Sequence, residues 1–381
     1  MFNLERFTRM SRRPPARRVT GPILFSREGT DFERIQRVGE GPHGEAVLLA
    51  RRHPPRGQPE LVVVKTLGSH QPSKARQRLE EEAKLASRLS HPGIAQVLGH
   101  YQQGDTSYTV LELVAGASLA TVLCDATLCG RPLSEELGLY VCAEVAGALH
   151  YAHTLADEHG QPLGIVHRNV CPSNIRLAHG GQVKLTSLGG AWSRLPGREE
   201  TTEDGGPLGD ADYAAPERLG GAGVGTGANL FSLGLVLLEM VTGQHLYHVA
   251  PLERRVAHVR SLWEGASWRG GGEPLPVEEL ELRADCFGPR DVEYAARGLS
   301  APVKAILHGL LRREPSERYA TGEELRADLR RCLKARSWWY GPRRAARELA
   351  RLRAEAAPLR RTADAVATFL GSEGLDMISR E

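Results

Sequence analysis

The run Gly39-Glu-Gly41-Pro-His-Gly44 lies between two strand-patterned segments, and that placement narrows the fold more than any other feature. Phe32–Val38 before it alternates in the manner of a strand, and Ala46–Ala50 after it is a short apolar strand. A dinucleotide-binding fold would need a helix directly after the glycines, so that fold is excluded. What remains is a hairpin with a glycine-rich tip. Such a tip serves as a tight turn, or it brings backbone N–H groups close to phosphate oxygens. The motif alone leaves both open.

The same alternation continues at Leu61-Val-Val-Val-Lys65, after a loop over Arg51–Pro59 punctuated by Pro54-Pro55 and Gly57. Lys74–Leu89 has helical spacing, and two more strands fall near Ala95–Tyr101 and Ser107–Leu113. From Ser118 helical patterns dominate, at Ser134–Leu155, Leu230–Val241, Pro302–Leu311 and Thr321–Leu333. The pattern predicts an α+β chain: a small β-rich lobe over 31–114 and a large helical lobe over 115–333. Residues 1–30 are Arg/Pro-rich and aperiodic, so a flexible arm is expected there. Residues 334–381 are expected to form a basic helical tail, its helix at Gly341–Arg361. Trp338-Trp339-Tyr340 is either an exposed aromatic patch that docks a partner or, on the plainer reading, the packing of that helix against the large lobe.

With 41% hydrophobic and 25% charged residues the chain suits a soluble globular protein. No apolar run approaches the roughly 20 residues of a membrane span. The six cysteines are scattered without zinc spacing, which fits free thiols in the cytoplasm. The net charge of +3 decides nothing about nucleic acid. Arginine is concentrated at both ends, from Arg6 to Arg18 and again from Arg331 to Arg361. Such ends can attach to nucleic acid or an anionic membrane, although solvated tails are the plainer reading.

Two charged residues frame the strand-rich part. Lys65 ends an apolar strand, where it is either a snorkelling surface lysine or one half of a buried pair. Glu82 on the following helix is the partner the second reading needs, with Glu80 and Glu81 as a solvated face beside it. Further on come His167-Arg-Asn169-Val-Cys171-Pro-Ser-Asn174, then Lys184-Leu-Thr-Ser187-Leu-Gly189, then Tyr213-Ala-Ala-Pro216-Glu217. Asn229–Glu239 and Glu314-Pro-Ser-Glu-Arg318 close the series.

In this order and spacing the segments resemble the protein Ser/Thr kinase family, especially its bacterial members, over roughly residues 31–333. The resemblance implies the two-lobed kinase fold. It makes Gly39, Gly41 and Gly44 the phosphate loop and Lys65–Glu82 the pair that holds phosphates. Ala46 and Val63 flank the adenine, and the backbone of Glu112 and Val114 meets it. Asn174 is a metal ligand, and Arg318 pairs with Glu217.

The departures matter more than the matches. Asn169 stands where the family has its catalytic Asp, and a neutral amide cannot act as a base. Ser187 stands where the family has the Asp that ligates Mg²⁺, and a hydroxyl is a poorer, neutral ligand. Cys171 replaces a lysine that steadies the γ-phosphate, Asn229 replaces an Asp that braces the catalytic loop, and Val63 narrows the adenine site. These changes predict a catalytically impaired pseudokinase with a regulatory or scaffolding role in signalling. ATP would be its nucleotide, Mg²⁺ weakly bound or absent, and a protein of unknown identity its partner.

The alternative is a weak or atypical Ser/Thr kinase, which would recruit Asp204, Asp210 or Asp212. Ser193, Thr201 and Thr202 could take phosphates clasped by Arg168, against the plainer reading of an acidic loop. Asn169, Asn174 and Ser187 should converge on one cleft opposite Lys65.

Overall fold

The computed structural model describes residues 21–41, 44–68, 73–187, 191–194, 210–221, 223, 225–263 and 276–378. The Arg-rich arm up to Arg18 and the acidic run with Thr201, Thr202 and Asp204 lie outside these residues. Strands β1 (Ile23–Arg27), β2 (Thr30–Glu40), β3 (Ala46–His53) and β4 (Glu60–Leu67) come first. Helix α1 (Ser73–Ala86) follows, then β5 (Val97–Gln103) and β6 (Thr106–Glu112). The six strands form one antiparallel sheet in the order β1-β2-β3-β4-β6-β5.

Strand β1 corrects the expected arm, because residues 21–30 are part of the sheet. Phe25 stacks on Phe32 and Tyr108 with ring centroids 4.3 and 4.4 Å apart. The Glu28-Gly29 turn, with φ of 49° and 73°, suits a two-residue hairpin. Gly21 N–H donates to the buried Glu33 carboxylate at 2.6 Å.

After the hinge at Glu112–Val114, a short sheet of β7 (Gly116–Ser118), β8 (Ile175–Ala178) and β9 (Val183–Leu185) opens the helical lobe. Gly116 permits it, since a Cβ there would lie 1.9 Å from the Leu177 carbonyl oxygen. Helices α2 (Leu119–Leu128) and α3 (Glu135–Thr154) start at Ser118 and Ser134, whose hydroxyls accept the N–H groups of Thr121 and Leu137. Helix α4 (Pro216–Leu219) precedes α5 (Thr226–Thr242), which is apolar nearly all round and therefore fully embedded. It stops at Gly243, in the left-handed region with φ 69°. Then come α6 (Ala250–Trp263), α7 (Val277–Cys286), α8 (Pro289–Ala295), α9 (Ala301–Leu310), α10 (Gly322–Ser337) and α11 (Pro342–Ile378). Their core is one cluster centred on α3 and α5.

Helix α11 is no detached tail. Ala345, Leu349, Leu352 and Ala356 recur at helical spacing and are buried beside α2. Arg131–Glu355 and Ser134–Glu348, each at 2.6 Å, pin it, and Arg360 reaches the buried Asp125. The apolar stripe over Pro342–Arg361 is therefore already used and is not available to a membrane surface. Tyr340 packs on Tyr140 and donates to Glu348, as expected of this aromatic run. Trp338 and Trp339 do not. They follow the last residue of α10 and stand 69% and 59% exposed, against each other. Among the described residues no helix is long and apolar enough to cross a membrane.

Candidate functional site

Lys65 belongs to β4, paired with Val47 of β3 and Thr109 of β6, so its side chain rises from the sheet centre. Its Nζ donates to Glu82 Oε1 at 2.8 Å, which settles the expected pair. The surface-lysine alternative fails, since Lys65 is 9% exposed and Glu82 3%. Burial pulls the Lys65 pKa down, but the carboxylates of Glu82 and Glu45 outweigh it, and the net direction is up.

Glu45 was not foreseen. It sits between Gly44 and Ala46, fully buried, with Oε1 3.7 Å from Lys65 Nζ. A Cβ placed on Gly41 would lie 2.0 Å from the same oxygen, so the carboxylate rests directly against the Gly41 backbone. The expected supply of free glycine N–H groups needs correction too. Gly41 N–H donates to Glu45 O at 2.8 Å, and Gly44 N–H donates to Gly41 O at 3.1 Å. Both close the hairpin on itself. Gly39 has open space beside it.

On the adenine side Ala46 and Val63 are half-buried, paired across the sheet with Thr66 and Leu111. Glu112 ends β6, its N–H donated to Gln96 O and its carboxylate paired with Lys184 at 2.9 Å. Val114 is buried behind the hinge, where its carbonyl accepts from Arg176.

The helical-lobe wall is a connected hydrogen-bond network. His167 Nε2–H donates to Thr186 O at 2.9 Å, and its Nδ1 accepts Asn169 N–H at 3.2 Å, which fixes the tautomer. Burial pushes the His167 pKa down to about 4, so the ring is neutral. Asn174 Nδ2 donates to Asn169 O, and Asn174 O accepts from Thr186 N–H, both at 2.9 Å. Asn169, Asn174 and the Thr186–Ser187 turn are thus brought together as expected. Lys65 belongs to a separate cluster with Glu82 and Glu45 in the other lobe. Arg168 and Ser187 hold positive φ, 62° and 64°. Asn and Asp adopt that region more readily than Ser, so Ser187 carries backbone strain that a side chain of the family type would reduce.

Asn229 still braces the loop. Its Oδ1 accepts His167 N–H at 2.9 Å and His153 Nε2–H at 3.1 Å. An amide oxygen serves as well as a carboxylate for neutral donors.

At the two positions that the resemblance assigns to a metal stand the Asn174 amide and the Ser187 hydroxyl, both neutral. Mg²⁺ prefers carboxylates, so this donor set does not fit it. Among the described residues no three His, Cys, Asp or Glu side chains converge as a metal site.

Of the acidic residues considered as substitutes, Asp210 meets the catalytic loop through its backbone, while its carboxylate accepts Asp212 N–H at 3.3 Å. The Asp210 N–H donates to Asn169 Oδ1 at 3.1 Å. Burial, then Asp212, raises its pKa. Asp212 instead joins a short turn capped by Asp210. Arg218 reaches the Arg168 carbonyl and interacts with both Cys171 and Asp210. Burial of Cys171 pushes its thiol up to about 11, so it stays protonated. Ser193 is 4% exposed, which removes it as an accessible phosphate acceptor.

Glu217 and Arg318 form the expected bidentate pair, at 2.7 and 2.8 Å, beneath the loop that follows. Of the residues missed, Glu45 had a sequence signal: a carboxylate inside a phosphate loop is a like charge where anions are expected. Arg218 and His153 had none.

A family profile described as protein kinase domain matches residues 32–329. The tyrosine-protein kinase MasK of Myxococcus xanthus is 33% identical over 76% of this chain and 41% of its own length. The serine/threonine-protein kinase PknB of Mycobacterium tuberculosis is 29% identical over 66% of this chain and 35% of its own. A probable serine/threonine-protein kinase of Clostridium perfringens is 28% identical over 83% and 40%. The chain thus spans well under half the length of these relatives.

Proposed function

Since this chain belongs to the protein kinase family, as a member of its bacterial type, we propose that it is a pseudokinase. It regulates or scaffolds a signalling partner through the conformation of its two lobes. ATP is the ligand that family membership implies for the cleft, with Mg²⁺ weakly held or not used. The observation that carries this reading is the missing acid on the helical wall. Asn169 and Ser187 are neutral at any pH, and the Asn169 oxygen is already engaged by Asp210 N–H. A positioned base contributes about 10²–10⁴-fold and the metal neutralises charge that develops in transfer; neither finds an acid at the position where the family has one. Six free thiols suit the reducing cytoplasm in which this reading places the protein.

The assay is transfer from γ-labelled ATP with Mg²⁺ or Mn²⁺ to a general protein substrate. No transfer above background is expected. Transfer by the wild type that Asp210→Asn abolishes would instead establish the second reading, a weak or atypical serine/threonine kinase. The observation in favour of that reading is the backbone contact that keeps Asp210 next to Asn169.

A further inference from the structure

Helix α11 uses only one of its faces for packing. Ala345, Leu349, Leu352 and Ala356 are buried, whereas Arg344, Arg347 and Arg351 recur at i, i+3 and i+7 on the exposed side. Arg343, also exposed, stands one turn before Arg347. Other arginines of this region are matched with acids: Arg131 with Glu355, Arg330 with Glu144, and Arg336 with Glu135 and Glu136. The exposed arginines of α11 are not, for among the described residues none of them forms an ion pair. Arg344 donates to the Ser337 hydroxyl at 2.8 Å and Arg347 to the Arg343 carbonyl at 3.3 Å, both neutral acceptors.

This basic stripe starts beside an aromatic pair. Trp338 and Trp339 stand in the turn between α10 and α11 with ring centroids 4.5 Å apart, and the Arg344 guanidinium lies 5.7 Å from the Trp339 ring. Rings this exposed leave a large apolar area in water. They do not dock the start of α11, because Tyr340 makes those contacts, with Tyr140 and Glu348.

We propose that this face, the two tryptophans with the arginine stripe of α11, docks the protein on an anionic lipid bilayer. A second copy using the same face would set one arginine stripe against another. Single-stranded nucleic acid would stack its bases on open ring faces, but here the two rings lie against each other, with Arg344 over one of them. A bilayer offers anionic headgroups over an apolar layer, across a plane that needs no matching pocket. The arginines then meet charge while the indoles settle at headgroup depth, where tryptophan is enriched. None of these residues belongs to the cleft, so the proposal stands whether or not the cleft transfers phosphate.

The test is sedimentation of the full chain with vesicles of phosphatidylcholine, alone or with about one third phosphatidylserine. The proteins compared are the wild type, Trp338→Ala with Trp339→Ala, and Arg347→Gln with Arg351→Gln. All the changed side chains are exposed, so their urea midpoints should stay at the wild-type value. The wild type is expected to bind the anionic vesicles at least about 10-fold more tightly than the neutral ones, and to lose that preference in high salt. An arginine near an anionic surface is worth about fivefold in affinity, so the arginine variant should lose about 25-fold. The tryptophan variant should lose about 10-fold or more, and quenching by lipids brominated in the acyl chain should disappear in it. Wild-type binding that ignores phosphatidylserine, or that is unchanged in either variant, overturns the proposal. So does failure of the wild type to bind vesicles; binding of labelled oligothymidylate or polyglutamate by the same arginines would then assign the stripe to nucleic acid or to an acidic protein segment.

Discussion

Replacing Lys65 with methionine should unfold this protein more readily than loss of a binding residue normally would. In the native state one buried cation answers two buried carboxylates, at 2.8 and 3.7 Å. At an effective dielectric near 20 those contacts are worth about 6 and about 4 kcal/mol of gross attraction, most of it cancelled by desolvation. In Lys65→Met the desolvation cost of Glu45 and Glu82 remains and the attraction is gone. Removing one partner of a buried pair costs about 3–5 kcal/mol, and two like charges left together put the expected loss at the upper end, about 5 kcal/mol. Relief comes from the second site. Lys65→Met with Glu45→Gln removes one stranded carboxylate and should recover about 1–3 kcal/mol. Glu45→Gln alone should cost less than about 1 kcal/mol, because Glu82 keeps Lys65 satisfied. Urea unfolding of the four proteins, followed by tryptophan fluorescence, gives the coupling directly as a double-mutant cycle. A loss below about 1 kcal/mol in Lys65→Met, or a double variant less stable than the single one, would refute the idea that all three groups share one charge balance. The outcome also bears on practice: a lysine variant used as an inactive control would be a folding variant here.

Acid should weaken the fold through neutral buried histidines. Burial lowers the His153 and His167 pKa values to about 4 and that of His245 to about 3, from an ordinary 6.5. A base with a depressed folded pKa binds fewer protons than the unfolded chain between those values, so its contribution is complete above pH 6.5 and is lost as pH falls toward 4. One such group loses about 2 kcal/mol by pH 5. Asp210 and Glu239, whose pKa values burial raises, act in the opposite direction. The urea midpoint should therefore drop from pH 7 to pH 5, and His167→Gln should flatten the drop; an unchanged slope in that variant would exclude His167 as its source. Arg318→Lys should also be costly despite conserving charge. The guanidinium makes two bonds to Glu217, one each to Arg312 O and Arg313 O at 2.8 Å and one to Gly227 O at 3.2 Å, with its side chain fully buried. An ammonium can replace at most three of these and cannot fork, so the expected loss is about 2–4 kcal/mol in urea unfolding. A loss under about 1 kcal/mol would mean the pair is not the brace it looks to be.

Much of the fold could be read ahead because the informative segments are local. The strand alternation before and after the glycines, the embedded pattern of α5 and the order of the loop motifs each depend on near neighbours. Strand β1 was hidden for the opposite reason. Phe25 is held by Phe32 and Tyr108, and Tyr108 is far away in sequence, while Arg and Pro nearby set the composition. Asn229 shows a different limit. The sequence marks it as a departure, yet its two donors, a backbone N–H and a neutral imidazole, need only an oxygen acceptor. Glu45 was in plain view, but its effect depends on the direction of one side chain under a loop, which no periodicity encodes.

The charge changes in the cleft point one way when taken together. The resemblance puts carboxylates at positions 169 and 187 on the helical wall, where they would draw a metal and through it a triphosphate. Here that wall is neutral at both positions, while Lys65 on the facing lobe keeps its Glu82 partner. A neutral drift at 169 and 187 alone would leave Lys65 able to attract phosphate, and a nucleotide could bind without metal. The Lys65–Glu82 pair braces the strand-rich lobe from within, and the Asn229 contacts and the Glu217–Arg318 pair brace the helical lobe from within. The pseudokinase reading proposed above asks for these braces and not for the two missing acids, whereas a transferring enzyme asks for both.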